Sequence, residues 1–198
     1  MFISVEIEGV TPLICNRFTD EAAMASTNGD RGSSAAADRG TPLEIAQAKL
    51  YTGSNGKPMI PGPNLLRSIV DGGSFTKIGK KQVTTARSSM LYSCVGIADM
   101  ELPIEHREPW TVDIRPVRIP STGGRILAYR PMFHDWKLKF EVELDTSILN
   151  VKLFRQIVDD AGKRVGLGDF RPATKGPYGR YRVTRWTEQQ VKLAKSAA

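Results

Sequence analysis

Cysteine is nearly absent. Cys15 and Cys94 are the only two among 198 residues, they stand in no C-x-x-C spacing, and neither histidine, His106 or His134, lies close to them in sequence. A structural zinc site therefore lacks its usual cluster of ligands, and two reduced, buried thiols in a cytoplasmic protein are the expectation. Long hydrophobic runs are missing as well. No segment approaches the ~18 apolar residues that would span a bilayer, so no membrane partner is expected. The opening M-F-I-S-V-E-I-E-G-V carries Glu6 and Glu8 among its apolar residues with no basic segment before them, which reads as a strand and not as a signal peptide. No G-x-x-x-x-G-K-[ST], H-E-x-x-H or G-x-S-x-G occurs, so nucleotide hydrolysis, zinc proteolysis and serine-hydrolase chemistry have no support. Negative charge is missing from one long stretch. Between Gly72 and Ala98 there is no acidic residue, while Lys77, Lys80, Lys81 and Arg87 accumulate among Thr and Ser.

What is present is a core and an excess of positive charge. Hydrophobic residues make up 40% of the chain, enough for one globular core, and the net charge of +7 favours polyanionic partners. We read 1–198 as a single domain with a flexible loop insertion at 19–40, a basic insertion at 72–109 and a tail at 187–198. Residues 2–8 alternate, with Ile3, Val5 and Ile7 on one side, and predict a half-buried strand. The stretch from Thr19 to Gly40 is nearly all small and polar, with almost nothing bulky to bury. Thr41-Pro42 followed by Glu44 opens a short helix, and Pro63 sits near the start of a second that Gly72-Gly73 stop. A hairpin is expected over 110–131, with Pro116 and Pro120 confining part of it to an edge or projecting it from the sheet. Trp136, Leu138, Phe140, Val142 and Leu144 alternate with charged residues as a strand, 151–165 carries one apolar helical stripe, and a last strand covers roughly 179–186.

Between that helix and the last strand lies V-G-L-G-D-F-R-P-A-T-K-G-P-Y-G-R-Y-R-V-T-R-W, Val165 to Trp186. Gly166, Gly168, Gly176 and Gly179 permit positive φ and close backbone approach. Arg171, Lys175, Arg180, Arg182 and Arg185 supply charge, and Phe170, Tyr178, Tyr181 and Trp186 supply flat faces on which bases could stack. A nucleic-acid contact here competes with a plain glycine-rich turn. A solvated basic loop is likewise the alternative to a nucleic-acid contact for the acid-free run.

The order strand, helix region, strand or hairpin, strand, helix, strand matches the split β-α-β arrangement of ferredoxin-like and RNA-recognition folds, an α+β class with an antiparallel sheet and two helices on one face. Within that order, K-P-M-I-P-G-P-N-L-L-R-S-I (Lys57 to Ile69, which contains Arg67) and G-L-G-D-F-R-P-A-T-K-G-P-Y-G-R-Y (Gly166 to Tyr181) resemble two motifs of the RAMP superfamily of CRISPR-associated RNA-binding proteins, closest to its guide-RNA backbone subunits. The resemblance implies an RNA-binding module that self-associates along single-stranded RNA, with other effector subunits as further partners and no cofactor. Its RNA contacts would include Arg67 and the glycine-rich loop, joined by the basic run. Members that process their own guide often use a histidine near the first helix, and His106 and His134 are both far from it. Members that cleave target RNA use an aspartate in the loop before the I-P-G segment. The corresponding candidates are Asp30 and Asp38, and only that alternative calls for Mg²⁺. A third reading is a phage-encoded protein that mimics or inhibits such an assembly.

Overall fold

In the computed structural model, which describes residues 1–19, 40–118 and 123–189, the first strand occupies the middle of the main sheet. This strand, β1 (Phe2–Gly9), buries Ile3, Val5 and Ile7, as their alternation requires. The later strand Trp136–Leu144 lies antiparallel beside it with Ile3 opposite Val142, Val5 opposite Phe140 and Ile7 opposite Leu138. A one-residue slip would turn both apolar rows to solvent, so the shared period of two fixes the register.

Between these strands the chain runs through β2 (Leu13–Ile14), α1 (Pro42–Ala48), β3 (Met59–Pro61), α2 (Gly62–Gly72), the small hairpin β4 (Lys77–Ile78) and β5 (Lys81–Gln82), and α3 (Leu91–Cys94). It continues through β6 (Val95–Ile97), β7 (Glu101–Pro103), β8 (Glu105–His106), β9 (Thr111–Arg118) and β10 (Arg125–Phe133) to β11 (Trp136–Leu144). After that come α4 (Val151–Asp160), a widened last turn of π type (Ala161–Val165), and β12 (Tyr181–Gln189). The main sheet has the order β12-β1-β11-β6, with β8 pairing the other end of β11. The fold is α+β and ferredoxin-like. Among the described residues no helix is long and apolar enough to cross a membrane.

The strand that completes the split motif is β6. Its three residues lie in the stretch read from sequence as a basic insertion, and Val95 and Ile97 are buried opposite Leu144 and Val142. Three residues are too few for alternation to register in the sequence, while the acid-free composition suggested a loop. The 110–131 hairpin instead forms a second sheet of order β2-β10-β9. Pro116 sits on β9, the edge strand of that sheet, the kind of strand to which a residue without an N–H is confined.

The helices pack on one face. Asn150 caps α4 by accepting from the Leu153 amide at 2.8 Å, and the stripe of Phe154, Ile157, Val158 and Ala161 is buried. Gly72 of α2 lets the two helices meet, since a Cβ there would lie 2.7 Å from the Ala161 Cβ and 2.8 Å from the Ile157 carbonyl oxygen. On α1 Thr41 caps the helix as expected, and Glu44 completes a reciprocal capping box with it.

One irregularity redirects the last strand. In the β1–β12 pairing Glu6 lies opposite Arg185 and Ile7 opposite Val183, so Thr184 is the extra residue of a bulge. Strict alternation would place Tyr181, Val183 and Arg185 on one face and Arg182, Thr184 and Trp186 on the other. The bulge instead puts Tyr181, Val183 and Trp186 on the helix side, and Arg182 and Arg185 beside Glu8 and Glu6 on the open side. The strand also runs on to Gln189, so the stretch read as a tail from 187 begins inside it.

Candidate nucleic-acid interface

The glycine-rich loop is held down by its own chain. The Leu167 amide donates to the Gly179 carbonyl at 2.8 Å, the Asp169 amide to Ile14 at 2.7 Å, and the Gly179 amide to Pro12 at 2.8 Å. Gly168 and Gly179, at φ +74° and +66°, leave no room for a Cβ against the Ile14 and Leu167 carbonyl oxygens respectively. The close approaches expected of these glycines are thus made to protein backbone. Lys175, in the left-handed region at φ 64°, stands exposed near the loop's outer end beside Gly176.

A buried ionic chain fixes the loop to the second sheet. Arg130 on β10, about 5% exposed, donates from Nη1 to Asp169 at 2.7 Å and from Nη2 to Asp113 at 2.8 Å. Asp113 also accepts from Arg115 Nε at 2.6 Å, and that guanidinium lies 4.6 Å from the centre of the Tyr178 ring. Asp169 accepts further from Asn16 at 3.2 Å. These bonds set where residues 169–178 sit relative to β2 and β10.

The two motifs that carried the family resemblance meet here. The first turns of α2 and the Gly166–Arg171 segment enclose a cleft of about 230 Å³. Cys15, Ile60 and Leu167, all buried, form its apolar base. Asn16, Asn64 and Asp169 supply polar groups, and Arg67 and Arg171 stand beside them. Arg67 pairs with Asp71 at 2.9 Å, and that bond comes first in raising its basicity above the usual guanidinium value. Arg171 donates to the Gly168 carbonyl at 3.0 Å, which orients the side chain along the cleft. Ser68 of α2 donates to the Gly166 carbonyl at 2.9 Å, tying helix and loop together in the interior. Burial pushes the Tyr181 phenol, beside Ser68, well above its ordinary value, so it stays neutral.

Cys15 is no nucleophile. Burial, assisted by the Asp169 charge, raises its thiol to about 12. Burial likewise raises Cys94. In the native protein both should resist a chromogenic thiol reagent at pH 8 and react fully only in denaturant. Rapid native labelling of Cys15 would show the cleft base to be open.

The remaining candidates do not all converge. Gly166, Gly168, Arg67 and Arg171 line the cleft. Lys77, Lys80 and Lys81 are exposed on and between β4 and β5, beyond the C-terminal end of α2, and Arg87 is exposed in the turn from Thr85 to Ser88. Arg164 stacks 4.8 Å over Phe75, joining the π turn to the segment that leads into β4. Arg180 is exposed where the loop ends, and Arg182 lies on the open sheet face, 3.2 Å from Glu8. Tyr181 and Trp186, expected as stacking faces, lie on the core side because of the bulge, and Trp186 packs on Phe154 with ring centres 5.8 Å apart. Phe170 and Tyr178 remain half-exposed on the loop. Asp30 and Asp38 lie outside the described residues. Among the described residues no three His, Cys, Asp or Glu side chains are grouped to hold a metal ion.

The open face of the main sheet differs from the cleft. Lys139 bonds Glu105 at 2.9 Å, Lys137 lies 3.8 Å from Glu8, and Glu6 stands opposite both Lys139 and Arg185. Its cations already face carboxylates. Sequence reasoning missed Asn16, Tyr51 and Asp169 as cleft residues, and Arg130 as the loop's anchor. The pairing of β2 with β10 brings Asn16 to the cleft, a long-range register with no local signature.

No family model matches the sequence, and no curated protein matches it. Among solved structures, the fold is similar to a chain in the cryo-electron microscopy structure of the Type III-B Cmr-beta bound to cognate target RNA, with a TM-score of 0.50 and 11% identity. The match covers 94% of this chain and 59% of that one. At this identity the likeness is one of fold, and this chain spans well under two thirds of its neighbour's length.

Proposed function

We propose that this protein is an RNA-binding module of a CRISPR-type effector assembly, related to the RAMP backbone subunits, and that it self-associates along single-stranded RNA in company with other subunits. The observation that carries the reading is the cleft. Two motifs about a hundred residues apart in sequence, each resembling a RAMP motif, close on one another around Asn64, Arg67, Gly166, Gly168 and Arg171. The fold neighbour comes from a structure that contains target RNA, which agrees with this reading. RNA contacts would extend from the cleft to Lys175, Gly176 and Arg180 on the loop and to Lys77, Lys80, Lys81 and Arg87 beyond α2. The open sheet face contributes less, because Arg182, Lys137 and Lys139 there are already paired with carboxylates.

The test is binding of labelled single-stranded RNA at a series of salt concentrations. Each phosphate neutralised contributes ~0.7 to the slope of log affinity against log salt. Changing Lys77, Lys80, Lys81 and Arg87 together to Gln should therefore lower the slope by about 2–3. An unchanged slope would confine the RNA to the cleft and loop, and absence of binding at low salt would overturn the reading. Mass measurement on RNAs of increasing length should show protein copies added in steps if the module polymerises.

A further inference from the structure

We propose that the cleft between α2 and the glycine-rich loop is a subsite for one nucleobase bearing an exocyclic amino group, and that phosphates stay outside it. The inference rests on the RNA-binding reading and states which part of the strand enters. At about 230 Å³ the cleft is smaller than the ~300–1,000 Å³ typical of drug-sized ligands, which suits a single ring system and not a whole nucleotide. Cys15, Ile60 and Leu167, each about 1% exposed, close its floor with side chains that offer a phosphate no donor. Tyr51, half-buried, adds an aromatic side chain to the wall.

The polar lining argues the same way. The acceptor set into this cleft is the Asp169 carboxylate, whose Oδ2 takes hydrogen bonds from Arg130 and Asn16 and whose Oδ1 takes one from the Phe170 amide. With one bond only, Oδ1 keeps a lone pair that an amino group can fill and that a phosphate, which has no donor to offer, cannot. Asn64 stands exposed at the cleft with no hydrogen bond to the other described residues, so both ends of its carboxamide are free for a base edge. Carboxamides pair with adenine through its amino group and ring nitrogen, and carboxylates accept from the cytosine amino group. Uracil presents carbonyl oxygens where those donors would be. Arg67 and Arg171 are placed to hold the flanking phosphates while the base is inside.

Equal-length oligo(A), oligo(C) and oligo(U), together with an abasic phosphoribose strand of the same length, should be titrated against the whole protein. At least one of oligo(A) and oligo(C) should bind about tenfold more tightly than oligo(U), and the abasic strand no better than oligo(U). Asn64→Leu should bring the ratio close to one at an unchanged salt slope, because the Asn64 carboxamide bonds no other described residue. Arg67→Gln should do the opposite, lowering the slope while the ratio persists. Equal binding of all four strands, tighter binding of oligo(U), or a ratio undiminished in Asn64→Leu would each show that the cleft reads no base while RNA binding itself survives. Failure of every strand to bind at low salt would remove the RNA reading and this subsite with it.

Discussion

Replacing Arg130 with methionine should destabilise the protein by about 3–5 kcal/mol, among the largest effects of any single substitution in the chain. The guanidinium is about 5% exposed and bonds two carboxylates, Asp113 at 2.8 Å and Asp169 at 2.7 Å. Methionine fills most of the volume but leaves Asp113, about 3% exposed, with Arg115 as its one remaining cation. Breaking a buried pair from one side strands a charge that water cannot reach, so the cost exceeds the modest net value of the intact pair. Combining Arg130→Met with Asp113→Leu should recover a large part of the loss, because an apolar replacement removes the stranded charge. Urea denaturation of the three proteins decides the matter. If Arg130→Met alone cost less than about 1 kcal/mol, the cluster would be solvated and could not anchor the loop. If the protein binds RNA as proposed, the affinity should fall in Arg130→Met even at temperatures where it remains folded, since Asp169 and the segment after it lose their tie to β10.

How much of this was legible beforehand depended on the length scale of the signal. Local periodicity placed β1 and β11 almost to the residue, and the stripe read over 151–165 spans α4 together with the π turn that ends at Val165, because each buries one face along its whole length and the alternation or stripe repeats several times. The helix start at Thr41-Pro42 was equally plain, since the signal lies within four consecutive residues. β6 was not legible, for three residues carry less than two periods of a strand. The face of β12 was undecidable for a different reason. The bulge at Thr184 is set by pairing with β1, some 180 residues away in sequence, and it reverses the sense of alternation halfway along the strand. The site shows the same division. Arg67, Gly166, Gly168 and Arg171 were found through their motifs, whereas Asn16 and Arg130 reach the loop only through the pairing of β2 with β10. The aromatics misled because Tyr181 and Trp186 are chemically suited to stacking on bases and equally suited to the core, and only the bulge chooses between the two.

The second large effect is expected at Gly179, where two costs coincide. Gly179→Ala places a side chain at φ +66°, which costs an L residue about 1–2 kcal/mol wherever it occurs. The new Cβ would also collide with the Leu167 carbonyl oxygen, which accepts no compensating shift cheaply: Leu167 is buried and its amide is bonded back to the Gly179 carbonyl at 2.8 Å. Gly56 separates the two contributions. Its φ of +75° is just as positive, but nothing lies within 4 Å of a Cβ built there, so Gly56→Ala carries the backbone cost alone. Thermal or urea denaturation should therefore show Gly56→Ala down by about 1 kcal/mol and Gly179→Ala down by at least about 3 kcal/mol. Equal losses at the two positions would mean that the loop yields to the methyl group, and that its backbone is free to follow a ligand. A much larger loss at Gly179 means that the loop is rigid before any ligand arrives, so that its geometry belongs to the folded protein and a strand bound as proposed would have to fit it.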